Sequence, residues 1–101
     1  MSNEELQTKV DFSKVKAMMD KVVYTFNKPE GINNVLCIAK LPDGYTLAIG
    51  QGSCIYGPNF DSVRGMQVAL ENAKRMAEDA CWQYQGILLR EQLIAKGLIN
   101  D

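Results

Sequence analysis

Two apolar runs, Val35-Leu36-Cys37-Ile38-Ala39-Lys40-Leu41 and Tyr45-Thr46-Leu47-Ala48-Ile49-Gly50, are separated by Pro42-Asp43-Gly44. Proline presets φ at the first turn position and glycine supplies the positive φ that closes the loop, so this segment predicts an antiparallel β-hairpin. Alternation in the second run sets Tyr45, Leu47 and Ile49 on one face and Thr46 and Ala48 on the other. That pattern suits a sheet covered by helices on one side and open on the other, with the open face as a contact surface.

Helical periodicity flanks the hairpin. Phe12, Val15, Met18, Met19, Val22 and Val23 recur at intervals of three and four, and Asp11 is placed to cap the helix they form. Val22 to Phe26 is β-branched and aromatic, so it reads either as the end of that helix or as a strand beginning where the helix stops. Asn27 to Asn34, with Pro29 and Gly31, is a loop. Gln51 to Phe60 carries Gly52, Gly57 and Pro58 and reads as a connection holding at most one brief strand. From Asp61, Met66, Ala69, Leu70, Ala73, Met76, Ala77, Ala80 and Tyr84 form a continuous apolar stripe. Glu71 with Arg75, Lys74 with Glu78 and Arg75 with Asp79 are spaced for ion pairs worth about 0.3 kcal/mol each. Gly86 either bends or breaks this helix before Ile87, Leu88, Leu89, Leu93 and Ile94 carry the apolar face on to Lys96-Gly97.

The expected fold is therefore α+β: an N-terminal helix, a small antiparallel β-sheet built on the hairpin, and a long C-terminal helix bent or broken near Gly86. With 101 residues there is room for a single domain, residues 1–101, in which the polar first ten residues read as a flexible arm. A small sheet with helices on one face leaves an edge and an open face, which predicts a homo-oligomer with a dimer as the default.

Composition removes whole classes of function. Eleven Lys and Arg against twelve Asp and Glu give a net charge of −1, without the positive field that sequence-independent nucleic-acid binding needs. The absence of histidine removes Ser-His and Cys-His nucleophiles, histidine-ligated zinc and imidazole acid–base chemistry together. Cys37, Cys54 and Cys81 are an odd number with no CxxC pair, a pattern that fits reduced thiols in a cytoplasm. The opening MSNEELQTK lacks the basic start and apolar stretch of a secretory leader, and no apolar run approaches the length of a membrane span. Neither a cofactor nor a metal is implied.

Individual motifs thin out further on inspection. Gly50-Gln51-Gly52 would need a third glycine where Ile55 stands to be a dinucleotide fingerprint, and Gly52 to Gly57 is followed by Pro58-Asn59 where a phosphate loop needs Lys and Ser/Thr. These glycines then read as a bulge and a tight turn between sheet and helix. Cys54 beside Ser53 offers a nucleophile only if a helix terminus or a lysine activates it, and a packed thiol is the simpler account. Glu78 and Asp79 diverge by about 100° on a helix and cannot share one substrate. Trp82 and Tyr84 offer an aromatic platform or a core stripe, and the five methionines suit adaptable packing or a permissive contact surface. Asn59, Phe60, Asp61 and Arg64, with Tyr56 nearby, are the candidate binding set. An aromatic, an amide, a carboxylate and a guanidinium at a helix start can grip an anion or a partner's backbone, or can simply cap and staple the helix.

Asp43-Gly44-Tyr45, Gly50, Cys54, Asn59-Phe60-Asp61, Gly65, Ala69, Glu71-Asn72-Ala73-Lys74-Arg75, Trp82, Gly86 and Leu88-Leu89-Arg90-Glu91 together form a longer pattern. It resembles the small tailed-bacteriophage proteins grouped as the phage gene-product 49/66 family, over residues 33–95. The chain departs from that pattern by an extra residue between Asp43 and Cys54, and by about four, close to one helical turn, between Arg75 and Trp82. The resemblance implies a phage or prophage gene expressed in the host cytoplasm, with no established activity or cofactor. The leading expectation is a non-enzymatic accessory protein that binds a host protein and modulates host metabolism or defence. The alternative is a small-ligand binder that sequesters a nucleotide-like signalling molecule at a protomer interface, and a third possibility is an enzyme dependent on Cys54.

Overall fold

The computed structural model describes residues 9–53 and 62–99. The order is α1 (Phe12–Met19), β1 (Val23–Asn27), β2 (Asn34–Lys40), β3 (Thr46–Ser53) and α2 (Ser62–Ala95). The strands form one antiparallel sheet in the order β1-β2-β3, so the architecture is α+β as expected.

Local chemistry places the boundaries. Asp11 is the N-cap of α1, its Oδ1 accepting the Ser13 backbone N–H at 2.9 Å. Of the two readings of Val22 to Phe26 the strand is correct, because α1 stops at Met19 and β1 starts at Val23. At the hairpin, Gly44 takes φ +95°, its N–H bonds to Leu41 O at 2.8 Å, and Asp43 Oδ1 accepts the Tyr45 N–H at 3.1 Å. Ala39 pairs with Ala48 and Lys40 with Thr46, so Leu47 is the extra residue of a bulge beside this turn. α2 ends with Gly97 at φ +74°, its N–H on Ile94 O and the Leu98 N–H on Leu93 O, a Schellman cap.

The residues after the hairpin correct one expectation. Gly50, Gln51 and Gly52 are not a bulge and turn, since β3 runs through them to Ser53. They remain in the strand because Gly50 and Gly52 point at α2. A Cβ on Gly50 would strike the Ala69 carbonyl and the Ala73 amide, and one on Gly52 would strike the Gly65 carbonyl. The two backbones touch here with no side chain between them, which only glycine permits.

α2 lies along β3, also covers β2, and leaves β1 largely outside its reach. Its inner line is Gly65, Ala69, Ala73, Ala77 and Cys81, every fourth residue and all buried. Ala69, Ala73 and Ala77 join Val35, Cys37, Ala39 and Ala48 of the sheet in the central core cluster. The expected stripe was wider than the real one: Met66, Met76 and Tyr84 are exposed, while Ala69, Ala73 and Ala77 serve the sheet. None of the three expected α2 ion pairs forms. Arg75 instead donates to Asn72 Oδ1 at 3.0 Å, Lys74 lies 6.0 Å from the Tyr24 ring centre, and Glu78 accepts from Trp82 Nε1 at 3.2 Å.

α2 continues unbroken through Gly86. At 34 residues it is about 51 Å long, twice the length of an eight-residue strand of about 27 Å, so it overshoots the sheet. α1 props the first part of the overhang: Phe12 stacks on Trp82 at 6.0 Å, Met19 Sδ sits 3.7 Å from Cys81 Sγ, and Gln85 Nε2 donates to Met18 Sδ at 3.1 Å. Among the described elements nothing covers the far face of the sheet, where Ile38 pairs with Ile49 and Ile49 is exposed.

Candidate functional site

Where the hairpin turn, the end of α1 and the overhang of α2 converge, they leave an open groove of about 760 Å³. Met18, Leu41, Leu47 and Leu88 form its floor, Tyr45 and Tyr84 its rims, and Lys21, Asp43 and Gln85 its polar points. Each position follows from local structure. The Asp43 bond to the Tyr45 amide fixes the turn and holds Tyr45 outward at 66% exposure. The bulge at Leu47 turns that side chain toward the core cluster instead of continuing the strict alternation of β3. Gln85, tied to Met18, locks α1 against α2 at the groove's back.

The groove's lining is mixed, apolar with a few polar groups. One ammonium and one carboxylate, Lys21 and Asp43, accompany two phenols and four aliphatic or thioether side chains. Tyr and Met are enriched where proteins meet proteins, because they bring large, adaptable apolar area with a polar tip. A second groove of about 300 Å³, lined by Phe26, Val63, Met66, Gln67 and Leu70, lies beside β1 where α2 gives least cover.

Titratable groups with displaced pKa values lie in the core and at the cap. Burial pushes the Cys37 and Cys81 thiols up; Lys74 offsets this in part at Cys37, and Glu78 adds to it at Cys81. Burial also raises the Tyr24 phenol, with smaller contributions from both thiols. The Ser13 N–H lowers the Asp11 carboxyl through its capping bond. Among the described residues no cluster of three or more Cys, Asp or Glu can hold a metal ion, and no helix is long and apolar enough to cross a membrane.

Of the sequence-predicted binding set, Tyr56, Asn59, Phe60 and Asp61 lie outside the described residues, as does Cys54. Arg64 is exposed on the first turn of α2, apart from the groove. Tyr84 of the suggested aromatic platform does line the groove, whereas Trp82 is taken up by Phe12. Met18, Lys21, Leu41, Asp43, Tyr45, Leu47, Gln85 and Leu88 went unrecognised as a set, since only tertiary structure brings three such distant segments together.

No family model, curated protein or solved structure matches this chain. Several of the residues that carry the phage-family resemblance serve the fold itself. Gly50, Gly65, Ala69 and Ala73 are the close helix–strand contact, and Asp43-Gly44 is the hairpin turn. Asn72 Nδ2 donates to the Gln51 carbonyl at 2.8 Å, anchoring α2 to the edge strand.

Proposed function

We propose that this chain is a non-enzymatic binding module, a phage or prophage accessory protein of the bacterial cytoplasm that engages a host protein and modulates host metabolism or defence. The observation that carries the proposal is the groove at the hairpin end, whose apolar floor and two outward tyrosines suit a partner's amphipathic segment. Lys21 and Asp43 at its margin orient such a segment without supplying a reaction.

The test is copurification from host lysate with tagged wild-type protein and with Tyr84→Ser and Leu88→Asp variants. Tyr84 and Leu88 are 50% and 38% exposed, so these changes leave the core intact. One host protein recovered at stoichiometric amounts with wild type and lost with both variants is the expected result. Recovery of no protein across host lysates, or recovery equal in all three, overturns the assignment. Native mass spectrometry of the same eluate adds a separate outcome, because a retained small-molecule adduct in place of a protein would favour the nucleotide-like ligand alternative.

A further inference from the structure

We infer that residues 1–8 of this chain turn back along α1 and occupy the hairpin-end groove when no partner does, setting Leu6 against Leu88 and the Glu4-Glu5 pair beside Lys21. This rests on the reading of that groove as a contact surface, and it names what covers the groove in the free protein.

The place where this segment joins the fold sets its direction. Lys9 and Lys14 stand on one side of a small cleft, with Gln85, Leu88 and Leu89 of α2 on the other. Gln85 and Leu88 also line the groove, so the cleft at Lys9 opens directly onto it. The length of chain before Lys9 is sufficient. α1 has eight residues and is about 12 Å long, whereas extended chain covers about 3.4 Å per residue. Leu6, three residues before Lys9, reaches about 10 Å from it, to the groove floor at Leu88 and Met18. Glu4 and Glu5 reach about 14–17 Å, level with Lys21 just past the end of α1.

Charge supplies the complement. All eleven Lys and Arg lie among the described residues but only eight of the twelve Asp and Glu do, so the described body is positive and Glu4 and Glu5 are two of the four acids outside it. Along the path, Lys9, Lys14 and Lys21 outnumber Asp11 and Asp43. Both of those carboxylates are already committed to backbone N–H groups, of Ser13 and of Tyr45. Lys21 has no ion-pair partner among the described residues. A tether this short holds the segment at a millimolar effective concentration, so a contact too weak to retain a free peptide still forms here, and a host partner of higher affinity displaces it.

The measurement is paramagnetic broadening in nuclear magnetic resonance spectra of the full chain, with a spin label on Ser2→Cys in a Cys54→Ser background. Cys37 and Cys81 are buried and stay unlabelled. The amides of Leu47, Tyr84 and Leu88 are expected to broaden severalfold more than those of Phe26 and Met66, which line the other groove. Leu6→Asp, or Glu4→Lys together with Glu5→Lys, should at least halve the broadening in the hairpin-end groove while leaving that at Val10 in place. Equal broadening at the two sets of amides, or groove broadening that neither variant reduces, overturns the inference. The readout needs no host protein, so the two readings fail separately. Host capture without groove broadening keeps the host contact and removes this covering segment, and groove broadening without host capture does the reverse.

Discussion

The two halves of α2 obey different rules although they form one uninterrupted helix. From Gly65 to Cys81 every fourth residue is small and buried, and the helix backbone rests on the backbone of β3 at Gly50 and Gly52. Past Cys81 the same line continues as Gln85, Leu89 and Leu93, which are only half-buried because the sheet has ended. Exposed Tyr84, Ile87 and Leu88 surround that line. Small residues therefore mark where this chain packs on itself, and large ones mark where it has surface to offer. The half that looks least hydrophobic is buried on the sheet, and the half that looks most hydrophobic keeps large apolar side chains exposed.

The sharpest way to break this contrast is to give β3 a side chain. In Gly52→Ala the new Cβ meets the Gly65 carbonyl and lies 3.1 Å from Ala69 N, so helix and strand must separate along their whole contact. The expected loss is about 3 kcal/mol or more, read as a lower urea midpoint. A loss below about 1 kcal/mol would mean that α2 shifts sideways freely, and that the close approach is not what holds the sheet-bound half in place.

Alkaline pH tests the same half through its buried acids. Thiols in the unfolded chain titrate near 9.0 and the Tyr24 phenol near 10.0, and burial raises all three in the fold. Between the unfolded and folded values the native state holds more protons than the unfolded one, so stability falls as pH rises. It is full below about pH 9 and is lost as pH climbs through the folded values. Thermal melts from pH 7 to 11 should show this decline. Over the same range Cys37 and Cys81 should label with iodoacetamide far more slowly than free cysteine, since both thiols are buried. A constant melting temperature across that range would remove them from the core.

The hairpin was legible because its turn chemistry is local: Pro42, Asp43 and Gly44 determine their own geometry whatever surrounds them. The N-cap at Asp11 was legible for the same reason. Gly50 and Gly52 were misread as a turn, because glycine in a strand and glycine in a loop look alike until something comes close enough to need the missing Cβ. The core line of α2 was blurred because hydrophobic periodicity weighs Met66 and Met76 above alanine, whereas close backbone contact selects the smaller residue. Gly65 and Cys81 carried the missing signal, since they extend the four-residue spacing of Ala69, Ala73 and Ala77 at both ends. The groove had no local signal, as Lys21, Tyr45 and Leu88 come from three segments with no shared periodicity.

At the border between helix and sheet edge, Asn72→Ala removes the bond to the Gln51 carbonyl and the support of Arg75. The expected cost is about 1 kcal/mol, typical of one intramolecular hydrogen bond. The exposed carbonyl belongs to an edge strand of eight residues without lysine or proline, so the variant should also aggregate faster on mild heating. Light scattering matching wild type would show that α2 shields that edge by its bulk alone.

The smallest effect makes the cleanest comparison, because it changes the same residue type in the other half of the molecule. Gly86 lies inside α2 beyond the sheet, and a Cβ built there meets no atom within 4 Å. In a helix interior glycine costs about 0.5–1 kcal/mol relative to alanine, mostly through the freedom it has in the unfolded chain. Gly86→Ala should therefore raise the unfolding free energy by that amount, read as a higher urea midpoint with an unchanged denaturant slope, while the identical substitution at Gly52 lowers it severalfold more. Opposite signs from one substitution would separate a strand glycine that faces the first half of α2 backbone to backbone from a glycine in the second half of α2 that faces open space. If Gly86→Ala instead destabilises, conformational freedom in the unfolded chain is not what sets the cost of this glycine.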